Sequence, residues 1–389
     1  MEIVIASDLA LTKVNSNIFQ SDDIIKKIDK NFKQEWFEAD FRILNLETVL
    51  GERKDLEPIE KAGPNIISDS KCIYGIKKLE PDLVLLSNNH ILDFGEKGLN
   101  NTIKELEHYN INYTGIINSI EEEYKGYIFE KENIKVGIYN VCENEFSVAT
   151  PKSRGANPLI ESKVYLEIQK IKKKVDYLIV IFHGGKEFYR YPSPNLQRIC
   201  RSFIDFGAET VIVQHTHCIG AEEIYKNKTI LYGQGNFIFY NDEYVTDTKV
   251  LETALLVKVI IKDKKFRIKY IPIEREEGLI KISSKKSIFK EFKDRSNEIK
   301  KYDFIDKHYE EFSKEMLNTY LKVFDRRKII NRLINKFIKH NFYEKIYKKN
   351  DYLGILNIIE CEAHRELLIT GLKAKIKELE NKEKWNIIF

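Results

Sequence analysis

Apolar stretches of strand length recur through the first two thirds of this chain, and most of them stop at a residue able to bind a cation. Ile3 to Ala6, Ile43 to Leu46, Leu83 to Leu86, Val136 to Val141, Tyr177 to Phe182, Thr210 to Val213 and Thr229 to Tyr232 are rich in Ile, Val, Leu and Tyr. Runs this short and this continuously apolar predict strands buried on both faces of an α/β core. Helical spacing fills the gaps between them. Leu196, Ile199, Cys200, Phe203 and Ile204 recur at helical intervals before the stop at Gly207, and Leu99, Ile103 and Leu106 do the same after Gly95 and Gly98. The segment from Leu251 to Ile273 predicts a hairpin turning near Asp263 and Lys264. After about residue 280 the chain is lysine-rich and helical in period, which predicts an α/β domain over 1–280 and a basic, mainly helical region over 281–389.

The polar endings share a chemistry. Asp8 follows the first run, Glu47 the second, Asn89 the third, His183 the fifth, and His215 with His217 the sixth. In open α/β sheets ligands bind beyond the carboxyl ends of the strands, so endings far apart in sequence can converge on one cleft. Two carboxylates, one amide oxygen and three imidazoles suit Mn, Fe or Zn better than Ca or Mg, and six ligands exceed what one tetrahedral ion needs. Two divalent transition-metal ions roughly 3.5–4 Å apart would use them all and stabilise both oxygens of an in-line displacement. His215 and His217 can meet one site only if the backbone leaves strand geometry there, because alternate residues of a strand point to opposite faces.

Six blocks in order, "SDLAL" from Ser7, "NLETVL" from Asn45, "NNHILDFGEKGL" from Asn88, "HGGKEF" from His183, "GAETVIVQHTHCIGAEEIY" from Gly207 and "YGQGNFIF" from Tyr232, resemble the bacterial capsule-synthesis CapA family, also called the poly-gamma-glutamate synthesis family. That family looks like a distant relative of the calcineurin-type metallophosphoesterases. The resemblance covers roughly residues 1–275 and implies a metallophosphoesterase-like two-sheet sandwich with helices outside. It implies that Asp8 binds a first ion, that Glu47 bridges, that Asn89 and His183 bind a second, and that His215 and His217 complete the pair. His90 would protonate a leaving oxygen with Asp93 orienting its ring, and Asn45, Glu187 and Asn236 would lie behind the ligands or touch substrate. The loop "FYRYPSP" from Phe188 to Pro194 borders that site, which leaves substrate contact by Tyr189, Arg190 or Tyr191 open. The activity so implied is a metal-dependent hydrolase, a phosphoesterase of capsule, exopolysaccharide or poly-gamma-glutamate biosynthesis, acting on a polymer precursor or a phosphorylated or lipid-linked intermediate. Two departures weigh against a simple transfer: Ala10 stands where phosphoesterases carry a histidine, and Glu47 in "NLE" replaces their second Asp block. An accessory or scaffold role, or amide or ester hydrolysis with the same ions, therefore stays open.

Lys and Arg number 64 against 60 acids, for a net charge of +4, too even a balance to point to nucleic acid. Five scattered cysteines without a CxxC pair read as free thiols of a reducing compartment. "GQGNF" lacks the third glycine and the following helix of a dinucleotide loop, and Cys218 has no separate base beside it. With no leader-like segment and no run of membrane-spanning length, the expected location is cytoplasmic. Residues 321–350 hold ten Lys or Arg and two acids, with Ile329, Ile330, Leu333, Ile334, Phe337 and Ile338 on one helical face. That pattern fits packing on the α/β domain, as is common for soluble helices, and it leaves open peripheral contact with an anionic inner-membrane face.

Overall fold

The structure, a computed structural model, describes residues 1–12, 15–21, 24–239, 252–276, 279–324 and 348–386. The chain divides into two compact units, one of Met1–Ile59 with Asn65–Tyr302 and one of Glu60–Pro64 with Asp303–Phe389. All seven predicted runs fall on strands of the first unit: Glu2–Ala10, Phe41–Leu46, Leu83–Leu85, Ile134–Cys142, Tyr177–His183, Thr210–Gln214 and Lys228–Leu231.

They form two sheets. In the first, Glu2–Ala10, Phe41–Leu46, Leu83–Leu85 and Tyr113–Thr114 run parallel, and Thr253–Lys262, Lys265–Glu276 and Leu279–Ile282 extend the other edge antiparallel. In the second, Ile134–Cys142, Tyr177–His183, Thr210–Gln214 and Lys228–Leu231 are parallel, flanked by antiparallel Tyr127–Lys131 and Glu222–Tyr225. Strand side chains alternate faces, which splits each run between two cores. Ile3, Ile5, Ile43, Leu83 and Leu85 meet Val136, Ile138, Ile179, Ile181 and Ile212 between the sheets. Their neighbours Val4, Ala6, Leu44, Leu46, Val84 and Leu86 face Phe32, Trp36, Ile73, Ile76, Leu99 and Ile103 of the outer helices. On the far side of the second sheet lies the predicted helix, Pro194–Asp205, whose Phe203 ring stands edge-on to Phe182 at 5.8 Å between centroids. Its start is written locally: the Ser193 side chain accepts the Leu196 N–H, and Pro194 takes the first turn, where no N–H is needed. The result is the expected sandwich of two sheets with helices outside.

The hairpin also forms as expected, Thr253–Lys262 against Lys265–Glu276 with Asp263 and Lys264 alone in the turn. Both have positive φ, 51° and 58°, the requirement of the tight turn that matches strand twist. An L side chain at such a φ costs roughly 1–2 kcal/mol, and glycine returns part of that gain as backbone entropy. Lys264→Gly is therefore expected to stabilise by about 0.5 kcal/mol, seen as a higher urea midpoint at unchanged slope.

The first unit does not end at residue 280. Leu279–Ile282 still pairs with Lys265–Glu276, and the following helix, Lys286–Glu298, is tied back by side chains. Its Phe292 enters the core between the sheets, its Arg295 Nε donates to the Gly220 carbonyl at 3.0 Å, and its Ser296 Oγ accepts the Glu222 N–H at 2.9 Å. The helical pattern thus opens inside the α/β unit. The second unit contains helices Phe304–Phe324, Lys349–Glu360 and Glu362–Asn386. Most of the basic stretch 321–350 lies outside the described residues. No described helix is long and apolar enough to cross a membrane.

Candidate metal centre

The parallel strands of both sheets end at one edge, and there the predicted residues converge. Asp8 lies near the end of Glu2–Ala10, in register with Asn45 on one side and Asn236 on the other, just past an irregularity in the pairing between Ile5 and Asp8. Such a bulge re-aims a side chain. Asp8 Oδ1 accepts the Asn45 Nδ2–H at 2.9 Å and lies 3.8 Å from His183 Nδ1. Glu47, one residue beyond its strand, places Oε1 3.4 Å from His183 Nε2, and Asn89 Oδ1 is 3.0 Å from the same nitrogen. Asp8, Glu47, Asn45 and His183 are all fully buried.

The two histidines of "HTH" reach the site because the backbone leaves strand geometry at once. The strand ends at Gln214, and His215 and His217 take φ of 81° and 57°, the left-handed region that non-glycine residues seldom occupy. Strained backbone of this kind persists only where the surroundings over-determine it, typically at functional sites. The rings follow each other into the cleft, His183 to His215 at 4.8 Å and His215 to His217 at 5.8 Å between centroids.

Behind these groups stands a layer of orienting contacts. His217 Nδ1 pairs with Asn236 Oδ1 at 2.8 Å, and Asn88 Nδ2 donates to Asn45 Oδ1 at 3.1 Å. His90 Nδ1 is 2.7 Å from Asp93 Oδ2, which also accepts the Ile66 N–H at 2.6 Å. Glu187 Oε1 lies 3.8 Å from His217 Nε2. Of the neighbouring loop, Tyr189 is buried, whereas Arg190 turns to Glu291 at 3.3 Å. Cys218 is buried with its thiol pushed up to about 11 by burial, which suits packing and not attack. All five cysteines are buried and none forms a disulfide.

Two acids went unread in the sequence. Glu143 Oε1 lies 3.4 Å from His215 Nε2 while its Oε2 accepts the Gly185 N–H at 3.0 Å, and Glu145 Oε2 accepts from Asn89 Nδ2 at 2.7 Å. Glu143 follows directly on the strand Ile134–Cys142, and Glu145 lies two residues further on. The rule that found the other endings, a polar residue just past a buried strand, also finds "CENE".

The electrostatics of the cluster are those of a cation site. Burial, with the Glu47 carboxylate close by, pushes Asp8 up to about 6. Burial acts the same way on Glu47, but the His183 and His217 imidazoles outweigh it and hold that carboxyl below its ordinary value. Burial and the neighbouring His183 keep His215 far below the usual imidazole range, so its ring is neutral. Burial works against a charge on His217, yet Glu47, Glu187 and Asp8 together raise it. Both oxygens of Glu47 and the Nδ1 of His215 are buried without a hydrogen-bond partner. Leaving such atoms unsatisfied costs about 1–3 kcal/mol each, more for a charged group. A neutral imidazole such as His215 and carboxylate oxygens without a hydrogen bond, such as those of Glu47, are what a divalent transition metal takes as ligands. Among the described residues, Glu47, His183 and His215 offer ligand atoms within 4.8 Å of one another, as do Asp8, Glu47 and His217, and Glu187, His215 and His217. The donor set fits a metal centre.

Fold and site define a class, an α/β sandwich protein with a buried carboxylate–histidine centre where the strands of both sheets end. The chain belongs to the bacterial capsule synthesis protein PGA_cap family, whose model matches residues 3–241 and so spans every group described at the centre. It is 27% identical over 235 residues to the capsule biosynthesis protein CapA of Bacillus anthracis, covering 58% of this chain and 56% of that protein. It is 25% identical over 264 residues to the PGA biosynthesis protein CapA of Bacillus subtilis, covering 66% of each. The matches thus span between 56% and 66% of these relatives' length. Among solved structures it is similar to a hypothetical protein from Thermus thermophilus, with TM-score 0.44 and 10% identity over 71% of this chain and 100% of that one. It is also similar to Vps29 of Chaetomium thermophilum, with TM-score 0.29 and 8% identity over 72% and 93% of the two chains.

Proposed function

We propose that this protein is a metal-dependent hydrolase, a phosphoesterase acting on a phosphorylated or lipid-linked intermediate of capsule, exopolysaccharide or polyglutamate synthesis. One observation carries the chemistry: fully buried Asp8 and Glu47 stand among three histidines, with both Glu47 oxygens unpartnered. The family and the names of the relatives support the setting in surface-polymer synthesis.

Asp8, Glu47, Asn89, His183, His215 and His217 would hold two divalent ions. Bound there, such ions supply Lewis-acid polarisation and a water of lowered pKa. The chain supplies the rest. Asn45 holds the Asp8 carboxylate and Asn236 holds the His217 ring, so these ligands meet the substrate already oriented. Asp93 accepts from Nδ1 of His90 and so orients the ring and supports its doubly protonated form, whose Nε2–H would pass its proton to the departing oxygen and leave the ring neutral. Phe188, 42% exposed and with its ring 5.8 Å from that of His217, marks the mouth by which substrate enters.

Elemental analysis of purified wild type and His215→Ala tests the centre. About two ions per chain in the wild type, fewer in the variant, are expected, followed by turnover of phosphoester substrates. No bound metal after supply of Mn, Fe and Zn would exclude the hydrolase and leave an accessory binding role in polymer synthesis. His90→Ala is expected to keep its metal and lose roughly 10²–10⁴-fold in turnover. Unchanged turnover would remove His90 from the mechanism.

A further inference from the structure

We propose that Glu187 is itself a cation ligand, forming with His215 and His217 a subsite at the mouth of the centre distinct from the one around Glu47 and His183. The inference rests on the reading of this cluster as a divalent-metal centre and adds a ligand to it.

Three observations carry it. The first is proximity: Glu187, His215 and His217 present donor atoms within 4.8 Å of one another, and none of the three belongs to the Asp8 and Glu47 carboxylate pair. The second is the direction of the His217 ring. Asn236 Oδ1 is an acceptor, so the ring nitrogen 2.8 Å from it, Nδ1, is the one held by the protein. The other nitrogen, Nε2, is thereby turned towards Glu187 Oε1 at 3.8 Å. That separation is too long for a hydrogen bond and leaves the two ligand atoms aimed at one place, where a shared cation can bind both. The third is the loop, which is built to bring Glu187 to that place. Phe188, the next residue, takes a φ of 62° and donates its N–H to the Thr216 carbonyl at 2.9 Å, which pins "HGGKEF" to the residue between the two histidines. Both loops adopt left-handed backbone at this junction, with His215 at 81° and His217 at 57°. A residue that merely brushed substrate would not require this bracing from both sides.

The subsite has a chemical consequence. Glu187 is about one-third exposed, whereas Asp8, Glu47 and His183 are sealed. An ion held by Glu187, His215 and His217 is therefore the one that a phosphate oxygen of substrate reaches first, and the deeper ligands hold the other.

The test is titration of metal-stripped full-length protein with MnCl2 followed by calorimetry, on wild type, Glu187→Gln and Glu187→Asp. Wild type is expected to bind two equivalents. Glu187→Gln is expected to keep one equivalent at wild-type affinity and to weaken the other by roughly tenfold or more, the loss typical of removing a group that supports a metal. Glu187→Asp, which keeps the charge and loses reach, is expected to fall with Glu187→Gln; binding like wild type would reduce Glu187 to a background charge and overturn the proposal. Two unchanged equivalents in Glu187→Gln would overturn it while leaving the metal centre intact. Absence of Mn binding in wild type would overturn the centre itself, and this subsite with it.

Discussion

In metal-free protein, Asp8→Asn is expected to gain stability relative to wild type as pH rises from 4 to 7, by about 3 kcal/mol across that range. The Asp8 carboxyl, ordinarily at 3.8, is pushed up to about 6 by burial and by Glu47, against the opposing pull of His183 and His217. Between those values the folded chain holds a proton that the unfolded chain has released. Folded wild type therefore loses stability as pH climbs, and the loss is complete above about 6. Asparagine imitates the protonated acid and does not titrate. Any misfit of its NH2 against the Asn45 Nδ2–H adds a constant offset and leaves the slope alone. Glu47→Gln is expected to show the opposite slope, because His183 and His217 hold that carboxyl low and its contribution is lost as pH falls. Urea titrations with a chelator measure both, from pH 4 to 7 for Asp8→Asn and from about pH 5 downwards for Glu47→Gln, whose window lies below its ordinary 4.5. A difference independent of pH in Asp8→Asn would place the buried proton elsewhere. Added Mn2+ should reverse the ranking at pH 7, since an ion at about a thousand times its Kd stabilises wild type by about 4 kcal/mol and Asp8→Asn loses most of that.

This coupling explains how much of the site was legible. Asp8, Glu47, Asn89, His183, His215 and His217 stand out in sequence because each interrupts or follows a run that is otherwise apolar, and a buried polar group without a task is costly. The structure brings all six together with Asn45, Asn236, His90 and Asp93. Arg190 read as a neighbour of the site because it follows Glu187 closely, but its loop turns it to Glu291 on the helix Lys286–Glu298. Nothing in the local sequence states which way a loop side chain leaves. Glu143 and Glu145 follow a strand in the same way, but so do the acids of many solvated turns. Only the approach of His215 and Asn89 from other strands gives them a task.

The strands were legible for the same reason that the domain limit was not. A buried strand carries its own signal in four to six residues, so Tyr177 to Phe182 or Thr210 to Val213 can be read without knowing what packs on them. The helix Lys286–Glu298 carries a helical, lysine-rich signal that says nothing about which body it joins. That is settled by Phe292, Arg295 and Ser296, each meeting a partner distant in sequence. The strand Asn236–Phe239 was also missed as a strand, since "GQGNF" reads first as loop. Its pairing with Asp8, Leu9 and Ala10 comes from a segment more than 200 residues away.

That same strand makes Trp36→Ala a strongly damaging change away from the metal ligands. Trp36 is fully buried and closes a triangle of rings with Phe32 at 5.9 Å and Phe237 at 5.7 Å, those two being 5.8 Å apart, while its Nε1–H donates to the Leu79 carbonyl at 2.7 Å. Truncation to alanine opens a cavity and leaves that carbonyl without its donor, for an expected loss of about 3–5 kcal/mol. Trp36→Phe keeps a ring in the stack and removes only the donor, so about 1–2 kcal/mol is expected. The effect should extend to the metal centre, because Phe237 is the residue next to Asn236, and Asn236 fixes the ring of His217. Strand geometry turns Asn236 to the cleft and Phe237 to the helical side, so a collapse of the ring stack shifts the strand that carries both. Trp36→Ala is therefore expected to weaken Mn2+ binding at conditions where it remains folded, and Trp36→Phe to leave it unchanged. Urea midpoints and calorimetric titration on the two variants measure the pair of effects; full metal affinity in folded Trp36→Ala would show that the His217 ring is held from the cleft side alone.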